Sequence, residues 1–156
     1  MHAVRSDGIH TATVEDADEL AGLQRRSSLV HEDTRNILLG RPELFGVSPH
    51  ALARGDVRVV VSGGRIVAFA TLIPGDGGAA ELEDLFVDPD RFRQGLGRSL
   101  VEDALLRART LGIARIEVSA NPNALAFYEA VGFVAAGMVR MQFGEAWRMS
   151  LDIRGR

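Results

Sequence analysis

AAELEDLFVDPDRFRQGLGRSLVEDALLRARTL, residues 79–111, is the stretch whose reading decides the fold. Ala79 to Val87 reads as a strand, short and apolar-rich, and Asp88-Pro89-Asp90 ends it with turn chemistry. The period then changes. From Gly95 to Leu111, apolar residues fall at Leu96, Leu100, Val101, Ala104, Leu105, Ala108 and Leu111, a helical spacing with Glu102, Asp103, Arg107 and Arg109 facing water. Gly112 ends this helix, being the residue type that tolerates a left-handed cap. Ala114 to Ser119 reads as the next strand, so residues 80–119 form a strand–helix–strand unit.

Before this unit, Val57–Val61 and Arg65–Ile73 are two strands joined by the turn Ser62-Gly63-Gly64. The turn Pro74–Gly78 leads into Ala79–Val87, which makes an antiparallel meander. Residues 9–13 could form a first strand, and a helix opens at Val14 with Leu20, Leu23 and Ser27 on one face. Residues 31–55 read as loops with one or two short helices. After the unit come a helix at Pro122–Val131, its terminator Gly132, and strands at Phe133–Arg140 and Trp147–Ile153. The expected fold is α+β in a single domain over residues 1–156, with a mixed but mostly antiparallel sheet.

Composition narrows the function classes. With 156 residues, 46% hydrophobic and 25% charged, the chain is globular, and no apolar run is long enough to span a membrane. There is no Cys, which excludes disulfides, thiolate metal sites and a Cys nucleophile. All 18 basic residues are Arg, so Schiff-base chemistry and the Walker lysine are also excluded. The four His residues show no HExxH spacing, so no metal is expected. A net charge of −3 gives no support to a nucleic-acid surface. His2, Arg5 and Asp7 leave no visible signal peptide, and the expected location is cytoplasmic.

The chemistry-bearing feature is Arg93-Gln94-Gly95-Leu96-Gly97-Arg98, set between a strand and a long amphipathic helix. Two glycines let backbone approach a ligand, and the N–H groups of a helix start favour an anion such as a diphosphate. The alternative is that Gly95 and Gly97 only shape a turn. The Rossmann pattern does not fit, because Leu100 stands where its third small residue belongs.

A second constellation runs from Asn121 to Phe133, NPNALAFYEAVGF. Together the two resemble the GNAT superfamily of acetyl-CoA-dependent N-acyltransferases. Its motif A reads (Gln/Arg)-x-x-Gly-x-(Gly/Ala), and its motif B commonly reads Asn-x-x-Ala-x-x-x-Tyr-x-x-x-Gly-Phe. Asn121, Ala124, Tyr128, Gly132 and Phe133 match motif B throughout. Gly95 and Gly97 match motif A, whose first position is here Phe92, with Arg91 or Arg93 available to replace the lost contact. The resemblance covers about residues 57–140.

The resemblance implies a sheet of about six to seven strands flanked by about four helices. Strands four and five would splay to admit the pantetheine arm of acetyl-CoA. That arm would pair with the main chain of Leu85, Phe86 and Val87. The diphosphate would sit on Phe92, Arg93, Gln94, Gly95, Leu96, Gly97, Arg98 and Ser99. Asn121 would bond a pantetheine amide, or else only cap the next helix, with Ala124, Phe127 and Tyr128 near the thiol end. The implied reaction moves acetyl to a primary amine of a small molecule or peptide by direct attack in a ternary complex. A non-catalytic acyl-CoA-binding or regulatory module of the same fold is the alternative. A homodimer is expected through Met141, Phe143, Trp147, Met149 and Leu151.

In such an enzyme Tyr128 is the expected general acid, since a phenol of pKa about 10 stays protonated at neutral pH. The base would be a carboxylate of the strand before the glycine loop. Alternation puts Glu81, Glu83 and Leu85 on one face and Leu82, Asp84 and Phe86 on the other. Repulsion between Glu81 and Glu83 would raise the pKa of one of them. The resemblance leaves both open, since some family members place the base where Glu81 stands, fourteen residues before Gly95; Glu83, nearer the expected thioester, is the favoured base, with Glu81 assisting through water. The alternative is a solvated acidic edge. Asp88, in the turn, is read as structural, and Arg25, Arg26, His31, Glu32 and Arg35 lie either on a solvated face or in the acceptor pocket.

Overall fold

The computed structural model describes residues 5–30, 40, 46–141 and 144–153. Its strands are β1 (Gly8–Thr11), β2 (Val57–Ser62), β3 (Arg65–Pro74), β4 (Ala79–Val87), β5 (Arg115–Ala120), β6 (Val134–Met141) and β7 (Gly144–Asp152). Its α-helices are α1 (Ala17–Ser28), α2 (Pro49–Arg54), α3 (Leu96–Thr110) and α4 (Leu125–Ala130). Single 3₁₀ turns stand at Val14–Asp16, Pro89–Arg91 and Pro122–Ala124. The strands form one mixed sheet in the order β1-β2-β3-β4-β5-β7-β6. β4 and β5 run parallel with the register Ala79↔Arg115, Ala80↔Ile116 and Glu81↔Glu117, and both strands run on beyond that paired stretch.

The chain packs as two compact units, residues 1–71 with 84–100 and residues 72–83 with 101–156. In the first unit, α1 lays Leu20 and Leu23 on Val57, Val59 and Phe69 of the β2–β3 hairpin, all fully buried, and Phe86 packs against this core. Phe69 and Phe86 meet with ring centroids 5.5 Å apart. In the second unit, Ile116, Val118 and Ala120 of β5 are buried, as are Met149 and Leu151 of β7 and Ala104 and Ala108 of α3.

The ends of several elements differ from the sequence expectation for local reasons. The first strand stops at Thr11 because Thr13 gives its N–H to the Asp16 carboxylate at 2.8 Å, which starts the 3₁₀ turn instead. Leu111 is 55% exposed rather than on the buried face of α3, because the helix ends at Thr110. Gly112 then takes φ 72°, and the buried Ile113 sends its N–H back to the Ala108 carbonyl at 2.8 Å, a Schellman cap. The helix expected over 122–131 divides into the 3₁₀ turn and α4, because the Ala124 N–H closes on the Asn121 carbonyl at 2.8 Å.

The C-terminal hairpin is longer than expected on its second strand, with Met141↔Gly144 as its last pair. Met149 and Leu151, expected at a subunit contact, are instead 1% and 2% exposed in the core and are unavailable for one. Of the others, Met141 is 49% exposed and Phe143 lies outside the described residues. His31, Glu32 and Arg35 also lie outside them.

Candidate active site

Each unit carries part of the expected machinery. In the first, the strand-to-helix connection is built on Asp88. This side chain is buried and caps the Pro89–Arg91 turn, accepting the Asp90 N–H at 3.1 Å on one oxygen and Arg26 Nη2 at 3.1 Å on the other. Burial alone would raise its pKa; the Asp90 N–H, the Arg26 guanidinium and the charge of Arg65 outweigh it and hold the carboxyl below its ordinary value. Arg91 adds a second tie, donating to Ser62 Oγ at 3.2 Å. Asp88 is structural, as expected, and its partner Arg26 is a tether rather than a free surface charge.

Beyond this anchor the backbone adopts an unusual course. Arg93 has φ 66°, the one non-glycine residue with positive φ among those described, and Gly95 has φ 77°. A left-handed Arg costs about 1–2 kcal/mol, so its surroundings must impose it. The first intrahelical bond of α3 is Ser99 N–H to the Gly95 carbonyl at 3.0 Å, so the N–H groups of Leu96, Gly97 and Arg98 precede the helical ladder. The first turn holds no acidic residue, while Arg93, Gln94, Gly95 and Arg98 are exposed. Backbone N–H groups outside the ladder with positive side chains beside them have the chemistry that suits an anion. The Ser99 hydroxyl is turned back onto the Gly95 carbonyl at 3.0 Å, and Phe92 stands 42% exposed where motif A carries a polar side chain.

The same unit holds Leu85, Phe86 and Val87, all half-buried, with the Phe86 ring committed to the core. It also holds a carboxyl that sequence reasoning passed over. Burial pushes the Asp84 pKa up, and the neighbouring Thr71 hydroxyl, which reaches no full hydrogen bond, only partly offsets this. The signal was present: Asp84 shares a strand face with Leu82 and Phe86, and that face is the covered one.

In the second unit, Tyr128 is 7% exposed on α4. The Gly-Phe that ends motif B is its support. Gly132 takes φ 109°, and the Phe133 N–H bonds the Tyr128 carbonyl at 2.9 Å, which closes α4 with a Schellman cap. The Tyr128 ring is then held edge-on by Phe127 at 5.1 Å and Phe133 at 5.3 Å. Asn121 is exposed at the end of β5; its side chain accepts the Asn123 N–H at 3.3 Å, so it caps the turn. Ala124 is half-buried at the end of that turn.

Glu83 is exposed on β4. Glu81, on the same face, is gripped by a residue the sequence did not mark. Arg148 of β7 forks onto it, Nη2 to Oε1 at 2.7 Å and Nη1 to Oε2 at 2.8 Å, and also reaches Glu117 at 3.0 Å and Ser119 at 3.0 Å. The expected mutual repulsion of Glu81 and Glu83 is therefore not what governs Glu81, whose charge Arg148 neutralises. Among the described residues, no group of three His, Asp or Glu side chains could hold a metal ion, and no helix is long and apolar enough to cross a membrane.

The family model for the acetyltransferase (GNAT) family matches residues 14–133, a span that includes the Arg93–Arg98 loop and the Tyr128 helix. The chain belongs to the GNAT family. Within it, the chain is 42% identical over 81 residues to the [ribosomal protein bS18]-alanine N-acetyltransferase of Escherichia coli (strain K12), covering 49% of this chain and 53% of that protein. It is 33% identical over 78 residues to the glucosamine 6-phosphate N-acetyltransferase of Trypanosoma brucei brucei, covering 46% and 53%. The chain thus spans about half the length of the curated relatives it matches. The fold extends further. The crystal structure of the Escherichia coli ribosomal-protein-S18-alanine N-acetyltransferase superposes with TM-score 0.71 at 24% identity over 95% of this chain and 94% of that one. The PaiA N-acetyltransferase from Thermoplasma acidophilum in complex with coenzyme A does so with TM-score 0.73 at 17% identity, over 95% and 99%.

Proposed function

We propose that this GNAT protein transfers the acetyl group of acetyl-CoA to a primary amine of a small molecule or peptide. The observation that carries the reading is the loop at Arg93–Arg98, where two left-handed residues open a 15-residue helix and leave its first N–H groups outside the ladder. Such a cradle suits the diphosphate of coenzyme A, and family membership names the ligand class. The relatives that are named for a ribosomal-protein alanine and for an amino sugar phosphate both act on a primary amine, which supports that acceptor class.

In this reading Arg93, Gln94, Gly95, Leu96, Gly97, Arg98 and Ser99 hold the diphosphate, the exposed Phe92 lying at its edge. The main chain of Leu85, Phe86 and Val87 pairs with the pantetheine amides, as does Asn121, with Ala124 and Phe127 near the thiol end. Glu83 accepts the proton of the acceptor ammonium, and the neutral nitrogen attacks the thioester carbonyl. The C–N bond forms, the C–S bond breaks, and the departing thiolate takes its proton from Tyr128. Glu81 is the less suited base because Arg148 occupies both of its oxygens. The chain is further read as a cytoplasmic enzyme that pairs with a second copy. Edge strand β6, which exposes Val134, Met138 and Met141, supports that contact.

The test is turnover of acetyl-CoA, followed by free thiol release, across amines, amino acids and peptides and without any acceptor. Amine-dependent release with an acetylated product is expected. Binding of coenzyme A with no release above hydrolysis for any acceptor would instead identify a binding or regulatory module.

A further inference from the structure

The sheet face of the second unit that carries Glu81, Glu117, Ser119 and Arg148 is opposite the one that buries Ile116, Val118 and Met149. On this polar face Glu81 and Glu117 are directly opposed, as the third parallel pair of β4 with β5. Their side chains are only 33% and 30% exposed. Like charges so placed repel and would loosen the pair. Arg148, on the next strand, binds both carboxylates and the Ser119 hydroxyl with one guanidinium. We infer that Arg148 is a positioning residue, a cationic clasp that keeps the acid-bearing end of β4 in register with β5. Glu83 lies on β4 two residues beyond the clasped Glu81, so a shift of that register moves the proposed base. This inference rests on the reading of Glu83 above and concerns how it is held.

The charged surroundings of the clasp agree with this. Arg115 lies against Glu117 at 3.0 Å, and Gly137 is the residue of β6 opposite Arg148, so that side adds no charge. The Arg115 hydrogen bond leads in holding Glu117 below its ordinary pKa, against burial, with Arg148 assisting. The hydrogen bond to Glu81 leads in raising the pKa of Arg148, which stays charged. A fork to one carboxylate with a third contact to a second needs the planar guanidinium, and a lysine cannot reproduce it.

The experiment is a set of four proteins: wild type, Arg148→Met, Glu81→Gln and the double variant. Melting temperature is read from pH 8 down to pH 3. Arg148→Met should melt below wild type at neutral pH, with the gap closing only below pH 4.5 as Glu117, held under its ordinary pKa, is protonated. Glu81→Gln should lower the melting temperature in the wild-type background and raise it in the Arg148→Met background, where it removes a repulsion. A side chain that only fills space would produce neither the sign reversal nor the closing gap, and Glu81→Gln lowering both backgrounds equally would overturn the inference. If Arg148→Met does not fold, the neutral Arg148→Gln takes its place, with the same reversal expected. In the activity arm, Arg148→Met should lower kcat about tenfold or more with little change in acetyl-CoA KM, as misplacement of a catalytic group does. An unchanged kcat beside the reversed signs would refute the effect on the base alone. The melting arm needs no turnover, so an absence of acetyltransferase activity in wild type would overturn the functional reading without deciding the clasp.

Discussion

Replacing Asp88 with Asn tests how the anion cradle is anchored. The carboxylate is 5% exposed and makes two hydrogen bonds, one to the Asp90 N–H and one to Arg26, each at 3.1 Å. Asn keeps an acceptor for Asp90 but sets a neutral group against the guanidinium. A hydrogen bond to a charged group is worth about 1.5–3 kcal/mol. Arg26 is 47% exposed, which screens that contact toward the weaker surface value. The expected loss is about 1–2 kcal/mol, or about 2–8 °C in melting temperature for a chain of this size. Urea denaturation of Asp88→Asn, Arg26→Gln and the double variant should give a coupling of about 0.5–1.5 kcal/mol. The sign with pH follows from the lowered pKa: the stabilisation is present above the ordinary carboxylate value and is lost as pH falls through the folded value. The gap between wild type and Asp88→Asn should therefore close on acidification. A gap below about 0.3 kcal/mol at pH 7, unchanged down to pH 3, would refute the anchor.

Three further outcomes are expected. Glu83→Gln should depress kcat/KM most at low pH and recover partly as rising pH deprotonates the free amine, and a wild-type pH–rate profile would remove Glu83 as base. Tyr128→Phe keeps the ring contacts with Phe127 and Phe133 and should lower kcat by about 10²–10⁴ where chemistry limits the rate; full kcat would remove the acid. For Asp84 the sign is opposite to that of Asp88. Its raised pKa means that stability is full below the ordinary carboxylate value and is lost as pH rises through the folded one. Asp84→Asn should therefore be more stable than wild type at pH 8 and lose that advantage by pH 4, as read from urea midpoints; an equal offset at both would contradict the assignment.

Local rules made most of the fold legible. Apolar runs bounded by the turns at Ser62–Gly64 and Pro74–Gly78 located β2, β3 and β4, and the spacing from Leu96 to Ala108 with Gly112 located α3 and its cap. The two motifs placed the cradle and Tyr128 because their glycines serve backbone geometry, positive φ at Gly95 and Gly132, which a sequence displays directly. Pairings across the chain were not legible. Arg148 lies 67 residues from Glu81, and Arg26 lies 62 from Asp88. Nothing in a single sequence couples such positions, since each Arg alone reads as a solvated charge. The Asn121-Pro122 start of the last helix is too short a window to separate a 3₁₀ turn from an α-helix, and the apolar character of Met149 and Leu151 fits ordinary strand packing as well as a subunit contact, a choice that their burial decides.

The most direct test of the central claim is a calorimetric titration with coenzyme A and, separately, with pantetheine, which lacks the diphosphate together with the adenosine 3′-phosphate, so that the Gly95→Val variant below is the arm that isolates the loop. If the left-handed loop at Arg93–Gly95 and the start of α3 hold that group, two charge-assisted hydrogen bonds of about 1.5 kcal/mol each make coenzyme A bind more than about a hundredfold tighter. Gly95→Val, strained at φ 77° yet with open space around an added Cβ, should fold and abolish most of that difference. Equal affinity of the wild-type protein for coenzyme A and pantetheine, or a Gly95→Val variant that keeps the full difference, would contradict the account.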